Sequence, residues 1–241
     1  MIIGFSTGDY HRTDIKPISI EVIKHIRNAG CNAIEFNCGS WERIKDLSKI
    51  KKKDIVDFDH VSLHAPSKVT PISNDQYKKM LDAIQKAHDR LHFDVVVLHP
   101  DPIEKWDDLK KYNLPFAIEN MDSLHESGKT IEEIKKIVER YDLKVVIDLN
   151  HIFTNDITMK LHPEFMSVLG DRVVEFHLSG YADFFAGKVD RDALHYSLYR
   201  MNQDNIVKAI KNKKIPLIIE SELVDLSDVD KELKFIKDNI Q

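Results

Sequence analysis

Short apolar runs recur along the whole chain, at Ile2–Phe5, Ala33–Phe36, His60–His64, Val95–His99, Phe116–Glu119, Lys144–Asp148, Val173–Leu178 and Pro216–Glu220. Each is brief, rich in Val, Ile and Phe, and apolar without alternation. That is the pattern of a strand covered on both faces, as in a parallel sheet. Between the runs the apolar period changes to that of a helix. Ile20, Val22, Ile23 and Ile26 predict a helix over Ile18–Ala29, stopped by Asn28 and Gly30. Tyr77, Met80, Leu81, Ile84, Ala87 and Leu91 share one face of a helix over Asp75–Leu91. Further helices are expected at Ser40–Ile50, Ile103–Tyr112, Ile131–Tyr141, His162–Leu169 and Asp204–Asn212. Thr130 and Glu133 form a capping-box pair, and Ser227 is expected to cap a last helix running to about Ile240. Strands that alternate with helices in this number, over 241 residues, predict an α/β chain folded as one (β/α)8 TIM barrel domain, 1–241. An open doubly wound sheet is disfavoured because Ser6-Thr7-Gly8-Asp9, after the first strand, is not a glycine-rich phosphate loop.

The strand ends carry the chemistry. Glu35, His64, His99, Glu119, Asp148, His177 and Glu220 stand at or beside the C-terminal ends of seven runs, which in a barrel face one pocket. Residues two apart share a strand face. Ser62 with His64, Val97 with His99, Ala117 with Glu119, Val146 with Asp148 and Ile218 with Glu220 therefore point inward, each polar residue above a small or apolar one. Glu175, two before His177, breaks the rule; it is either a buried paired acid or the sign of a shift in register. So many imidazoles and carboxylates need compensating positive charge. A divalent cation supplies it, and mixed nitrogen and oxygen ligands suit Zn, Mn, Fe or Co. His151, three after Asp148, can fold back over the same pocket. Asp192 and His195, in the long stretch Ser179–Asn202, could complete a further metal position, and Lys188 or Arg191 could meet a phosphate. Glu35 and Ser179 are further candidates to contact substrate.

Composition narrows the partners. Hydrophobic residues make up 42% and charged residues 31%, and the net charge is −5, which does not favour nucleic acid or an anionic membrane. Cys31 and Cys38 make no disulfide framework and read as buried thiols. The run Lys51–Lys53 reads as a solvated helix end. With no signal-like start and no membrane-length run, the sequence suggests a cytoplasmic protein.

These residues resemble the xylose-isomerase-like superfamily of TIM barrels, strand by strand over nearly the whole chain. That superfamily includes sugar epimerases, hydroxypyruvate isomerase and endonuclease IV. The epimerase pattern of one metal, commonly Mn, held by Glu, Asp, His and Glu of strands five to eight falls on Glu119, Asp148, His177 and Glu220. By that likeness Glu119 and Glu220 are also the catalytic acid–base pair, moving a proton alpha to a carbonyl on a small sugar, sugar phosphate or keto acid. The Asp-x-x-His after strand six falls on Asp148 and His151. Endonuclease IV-like members add a His on each of strands three and four and hold three zinc ions. His64 in Leu-His-Ala-Pro and His99 in Leu-His-Pro match those. Their third site uses Asp-x-His, and here Asp192-Ala193-Leu194-His195 is one residue longer. The resemblance thus implies an isomerase or epimerase with one or two ions. The alternative is a zinc-dependent phosphoester hydrolase of the AP endonuclease type, the only reading under which DNA is a partner. A non-catalytic binding barrel is the third class, disfavoured by the cost of so polar a cluster.

Overall fold

The computed structural model describes residues 1–240 except 67–73, 102, 183, 186–187 and 190–194. The strands are β1 (Ile3–Ser6), β2 (Ala33–Asn37), β3 (His60–His64), β4 (Val95–Leu98), β5 (Phe116–Glu119), β6 (Lys144–Asp148), β7 (Val173–Leu178) and β8 (Leu217–Ile219). They pair in sequence order, all parallel, and β8 closes on β1 through Ile3↔Leu217, Gly4↔Ile218 and Phe5↔Ile219. This is a closed single-domain (β/α)8 TIM barrel. The outward faces of the strands carry Phe5, Ile34, Phe36, Leu63, Val96, Ile118, Val145, Ile147, Phe176, Leu178 and Ile219, all buried under the helices in one continuous core. Burying each such side chain is worth roughly 1.5–3 kcal/mol, so the outer shell, rather than the barrel interior, supplies most of the driving force. At Gly4 a Cβ would lie 1.8 Å from the Ala33 carbonyl oxygen, so β1 and β2 approach this closely only because this residue has no side chain.

Most predicted helices are present, with ends within about three residues of those expected, at Ile20–Asn28, Trp41–Leu47, Asn74–Leu91, Ile131–Tyr141, Leu161–Leu169, Asp204–Ala209 and Asp228–Asn239. The Thr130/Glu133 capping box is formed, with Glu133 N donating to Thr130 Oγ1 at 3.3 Å and Thr130 N to Glu133 Oε2 at 3.1 Å. Three local expectations are corrected. Ser227 precedes the last helix but makes no side-chain cap, and Asp228 Oδ2 instead accepts from Val224 N and Asp225 N. The segment expected as a helix over Ile103–Tyr112 is a 3₁₀ turn, Trp106–Lys111. Lys51 is exposed as expected but opens a separate short helix, Lys52–Ile55, rather than ending one. Elements outside the expected pattern include the helix Leu149–Asn155, entered directly from β6, a small antiparallel ribbon, Phe184–Phe185 with Lys188–Val189, after β7, and the short helix Leu198–Met201. Cys31 and Cys38 are buried free thiols. Among the described residues no helix is long and apolar enough to cross a membrane.

Inside the barrel, Val95, Val97, Ala117 and Val146 form a small apolar cluster on β4–β6. Much of the rest of the interior is polar: Ser6, Glu35, His60, Ser62, Glu175 and His177 are all buried. The register of β6 and β7 shifts between the two zones. Val145 pairs with Val173 but Val146 pairs with Glu175, leaving Val174 as the extra residue of a β-bulge. The bulge changes the parity of the strand: Val173 packs outward in the helix-covered core, and Glu175 and His177 turn inward.

Candidate metal centre

The carboxylate of Glu119, at the end of β5, is the hub. It is fully buried. Its Oε1 stands 2.8 Å from His177 Nδ1, and its Oε2 stands 3.2 Å from His64 Nε2 and 2.9 Å from His99 Nε2. The neighbouring Asn120 locks β5 to β6: its Oδ1 accepts from Asp148 N at 2.8 Å and its Nδ2 donates to Asp148 O at 3.1 Å. Asp148 in turn caps the next helix, with Oδ1 accepting from His151 N at 2.9 Å. That helix brings His151 back over the barrel mouth.

Backbone carbonyls set which ring nitrogens face the hub. His64 Nδ1 lies 2.8 Å from the Ala65 carbonyl, and His151 Nδ1 lies 2.7 Å from the Asn120 carbonyl. A carbonyl only accepts, so both Nδ1 atoms donate. Each neutral ring then turns the Nε2 lone pair inward, His64 toward Glu119 and His151 toward Asp148 Oδ2 at 3.7 Å. A lone pair facing a carboxylate is repulsive unless a cation, proton or metal, lies between them. Asp148 Oδ2 is moreover buried without a hydrogen-bond partner. Orphaned acceptors and inward lone pairs are what an ion's donor set requires.

Three donor groups adjoin one another: His64, His99 and Glu119; then Glu119, Asp148, His177 and Glu220; then Asp148, His151 and His195. Glu119 belongs to the first two and Asp148 to the last two. Any of these groups could hold a divalent ion.

The electrostatics without an ion show the same need for positive charge. Burial would raise the carboxyl of Glu119, but His177, His64 and His99 outweigh it and hold it well below the usual carboxylate range. Burial would lower His64, yet its hydrogen bond to Glu119 and the surrounding acids push it up to about 10. His177 is likewise raised, by Glu220, Glu35 and Glu119 against its burial. Where no imidazole compensates fully, the acids resist ionising: burial pushes Glu35 up to about 7, and burial together with Glu220 and Glu35 raises Asp9.

No protein-family model matches the sequence, and no curated protein matches it. Solved structures do match. Endonuclease IV from Thermus thermophilus superposes with a TM-score of 0.66 at 14% identity, over 99% of this chain and 98% of that one. A xylose isomerase domain-containing protein from Salmonella typhimurium gives 0.68 at 14% identity, over 98% and 96%. D-allulose 3-epimerase from Methylomonas sp. gives 0.63 at 15% identity, over 100% and 98%. The chain shares its barrel fold with these structures.

Within that fold the expected residues separate into three sets. His64, His99, Glu119, Asp148, His151, His177, His195 and Glu220 converge as described, with His195 reaching the mouth through Ser179, whose Oγ lies 2.9 Å from His195 Nδ1. The His151 and His195 rings are 5.2 Å apart. Glu35 lies beneath the mouth instead of on its wall, fully buried, with Oε1 accepting from Ser6 Oγ at 2.8 Å. Asp192 and Arg191 fall outside the described residues, and of Lys188 only the backbone, in the small ribbon, is described.

A cavity of about 570 Å³ opens over the centre. Its walls include groups that the sequence reading missed. Asp9 is 4% exposed, with Oδ2 unpartnered. Arg43 donates to Asn37 Oδ1 at 2.8 Å. Asp122 faces His125 at 3.0 Å. Asp9 and Asn37 follow or end a strand as the expected ligands do, so the strand-end rule could have found them. Arg43 comes from a helix and carries no such signal.

Proposed function

We propose that this barrel is a metal-dependent phosphoester hydrolase built on a multinuclear centre. The observation that supports the reading is the sharing of carboxylates: Glu119 lies in two of these donor groups and Asp148 in two, as a centre of adjacent ions would need. The two imidazoles in each of the His64–His99–Glu119 and Asp148–His151–His195 groups favour zinc there. When bound, two or three divalent ions would supply Lewis acidity and a hydroxide nucleophile at neutral pH. The chain's own residues do the rest. Glu119 and Asp148 would each serve two donor groups, and the carbonyls of Ala65 and Asn120 keep the His64 and His151 rings oriented. Arg43 offers the cavity wall a permanent positive charge toward an anionic ester. Lys188 and Arg191 belong to the segment that would add phosphate contacts. The net charge of −5 makes small phosphoesters better first substrates than duplex DNA.

A second reading, isomerisation or epimerisation of a small sugar or sugar phosphate, is favoured by one feature. Glu119 and Glu220 lie 2.8 and 3.2 Å from the same nitrogen of His177, as an acid–base pair around a single metal such as Mn would.

Metal stoichiometry decides between the two. Elemental analysis of the purified protein is expected to give two or three ions per chain, and the His64→Ala/His99→Ala double variant at least one fewer, with loss of bis(p-nitrophenyl) phosphate hydrolysis. A single ion retained by the double variant would overturn the hydrolase reading in favour of the isomerase.

A further inference from the structure

His177 has polar partners below the barrel mouth as well as at it. The two ring nitrogens face opposite ways. Nδ1 looks up at Glu119 Oε1 (2.8 Å) and Glu220 Oε2 (3.2 Å), while Nε2 looks down at Glu175 Oε1 (3.0 Å). Glu35 Oε2 also lies 3.2 Å from Nε2 but forms no hydrogen bond. The downward proton therefore goes to Glu175. The second oxygen of Glu175, Oε2, is taken by His60 Nε2. His60 stands at the start of β3, and its Nδ1 is 3.8 Å from Asp94 Oδ2, which is itself held by Val61 N at 2.9 Å. Asp94 is exposed at the far end of the barrel. Asp94, His60, Glu175 and His177 thus form a line through the barrel interior. Glu175, His60 and His177 are buried, and each Glu175 oxygen has its own imidazole partner.

We propose that Glu175, held in place by His60, is a positioning residue that fixes His177 with Nε2 protonated and Nδ1 free to bind an ion between Glu119 and Glu220. No backbone carbonyl performs this task for His177, as Ala65 does for His64 and Asn120 for His151. A carboxylate on the far nitrogen also makes an imidazole a stronger ligand than a carbonyl does, and losing such a partner typically lowers metal affinity by about 10–100-fold. The alternative role for the pair is packing alone, filling the lower barrel with a neutralised ion pair.

The inference rests on His177 being a metal ligand, so the test includes that residue. Zinc affinity would be measured by competition with a chromophoric chelator for the wild type, His177→Ala, Glu175→Ala, Glu175→Gln and His60→Ala, each checked for folding by circular dichroism in the apo form. Expected is a loss of about 10–100-fold for Glu175→Ala. Substantial rescue is expected in Glu175→Gln, whose amide oxygen still accepts from Nε2, and a smaller loss in His60→Ala. In ¹⁵N-labelled protein loaded with ¹¹³Cd, coupling to His177 Nδ1 and a slowly exchanging Nε2 proton are expected, the latter lost in Glu175→Ala. Wild-type affinity in both Glu175 variants, with His177→Ala impaired, would overturn the positioning role and leave the metal centre standing. Wild-type affinity in His177→Ala would overturn the ligand assignment itself. If Glu175→Ala does not fold, the Glu175→Gln affinity and the cadmium spectrum of the wild type decide: coupling at Nε2 would overturn the proposal.

Discussion

The two sides of the barrel interior hold up the same centre by opposite means. Under β4–β6 the support is dry: Val97, Ala117 and Val146 lie one layer below His99, Glu119 and Asp148. Under β7 it is wired: Glu175 lies one layer below His177 and is tied across the barrel to His60. An apolar plug costs nothing in desolvation and sets side-chain position by packing alone. A buried carboxylate is stable only when paired, because an unpaired one costs several kcal/mol, but once paired it can dictate which face of an imidazole carries the proton. Backbone carbonyls at the rim set the tautomers of His64 and His151, whereas for His177 the wired side does that work from within.

This contrast can be broken directly. Placing a charge in the dry side, as Val97→Glu, would bury a carboxylate among Val95, Ala117 and Val146. The expected destabilisation is on the order of 4 kcal/mol or more, read as a collapse of the urea midpoint. Glu119→Gln keeps the shape of the hub but removes its charge. Metal affinity should fall at least about tenfold, measured by elemental analysis after dialysis, and unchanged metal content would remove Glu119 from the ligand set. Val146→Ala tests packing without chemistry: stability should drop by about 2 kcal/mol while metal stoichiometry stays at the wild-type value. The smallest effect is expected at Glu232, a buried acid outside the barrel that accepts from Leu198 N and Ser221 Oγ. Burial pushes it from 4.5 up to about 7. A raised folded value favours the protonated form, so its stabilising contribution is complete below pH 4.5 and is lost as pH rises through about 7. The urea midpoint of Glu232→Gln should therefore decline less between those pH values than that of the wild type.

The sequence made the dry side legible and the wired side only half so. Runs such as Val95–His99 and Phe116–Glu119 announce a strand by continuous apolar residues, and the polar residue that ends each announces a pocket. Alternation then places Val97, Ala117 and Val146 without further information. The same rule flags Glu175 as an exception but leaves two explanations open, and both apply: Glu175 is a paired buried acid, and β7 does slip in register. What alternation could not supply was the partner. His60 opens the run His-Val-Ser-Leu-His and shares a face with Ser62 and His64, but only the cross-barrel distance to Glu175 reveals its use. The helix Leu149–Asn155 was hidden for a different reason. Its N-cap, Asp148, is also a candidate ligand, so the residue that starts the helix reads as the end of a strand.

The bulge at Val174 has a consequence for how related chains would line up. Val145 pairs with Val173 and Val146 with Glu175, so removing Val174 would make those pairs consecutive in an ordinary ladder. Everything above it, from Glu175 to the barrel mouth, would keep its place. The loss would be a gap in the floor, where Val174 packs against the apolar cluster. In this strand, chain length can therefore differ by one residue while the site stays in frame. An alignment forced through β7 without a gap would pair His177 with the wrong column and make a shared ligand look absent.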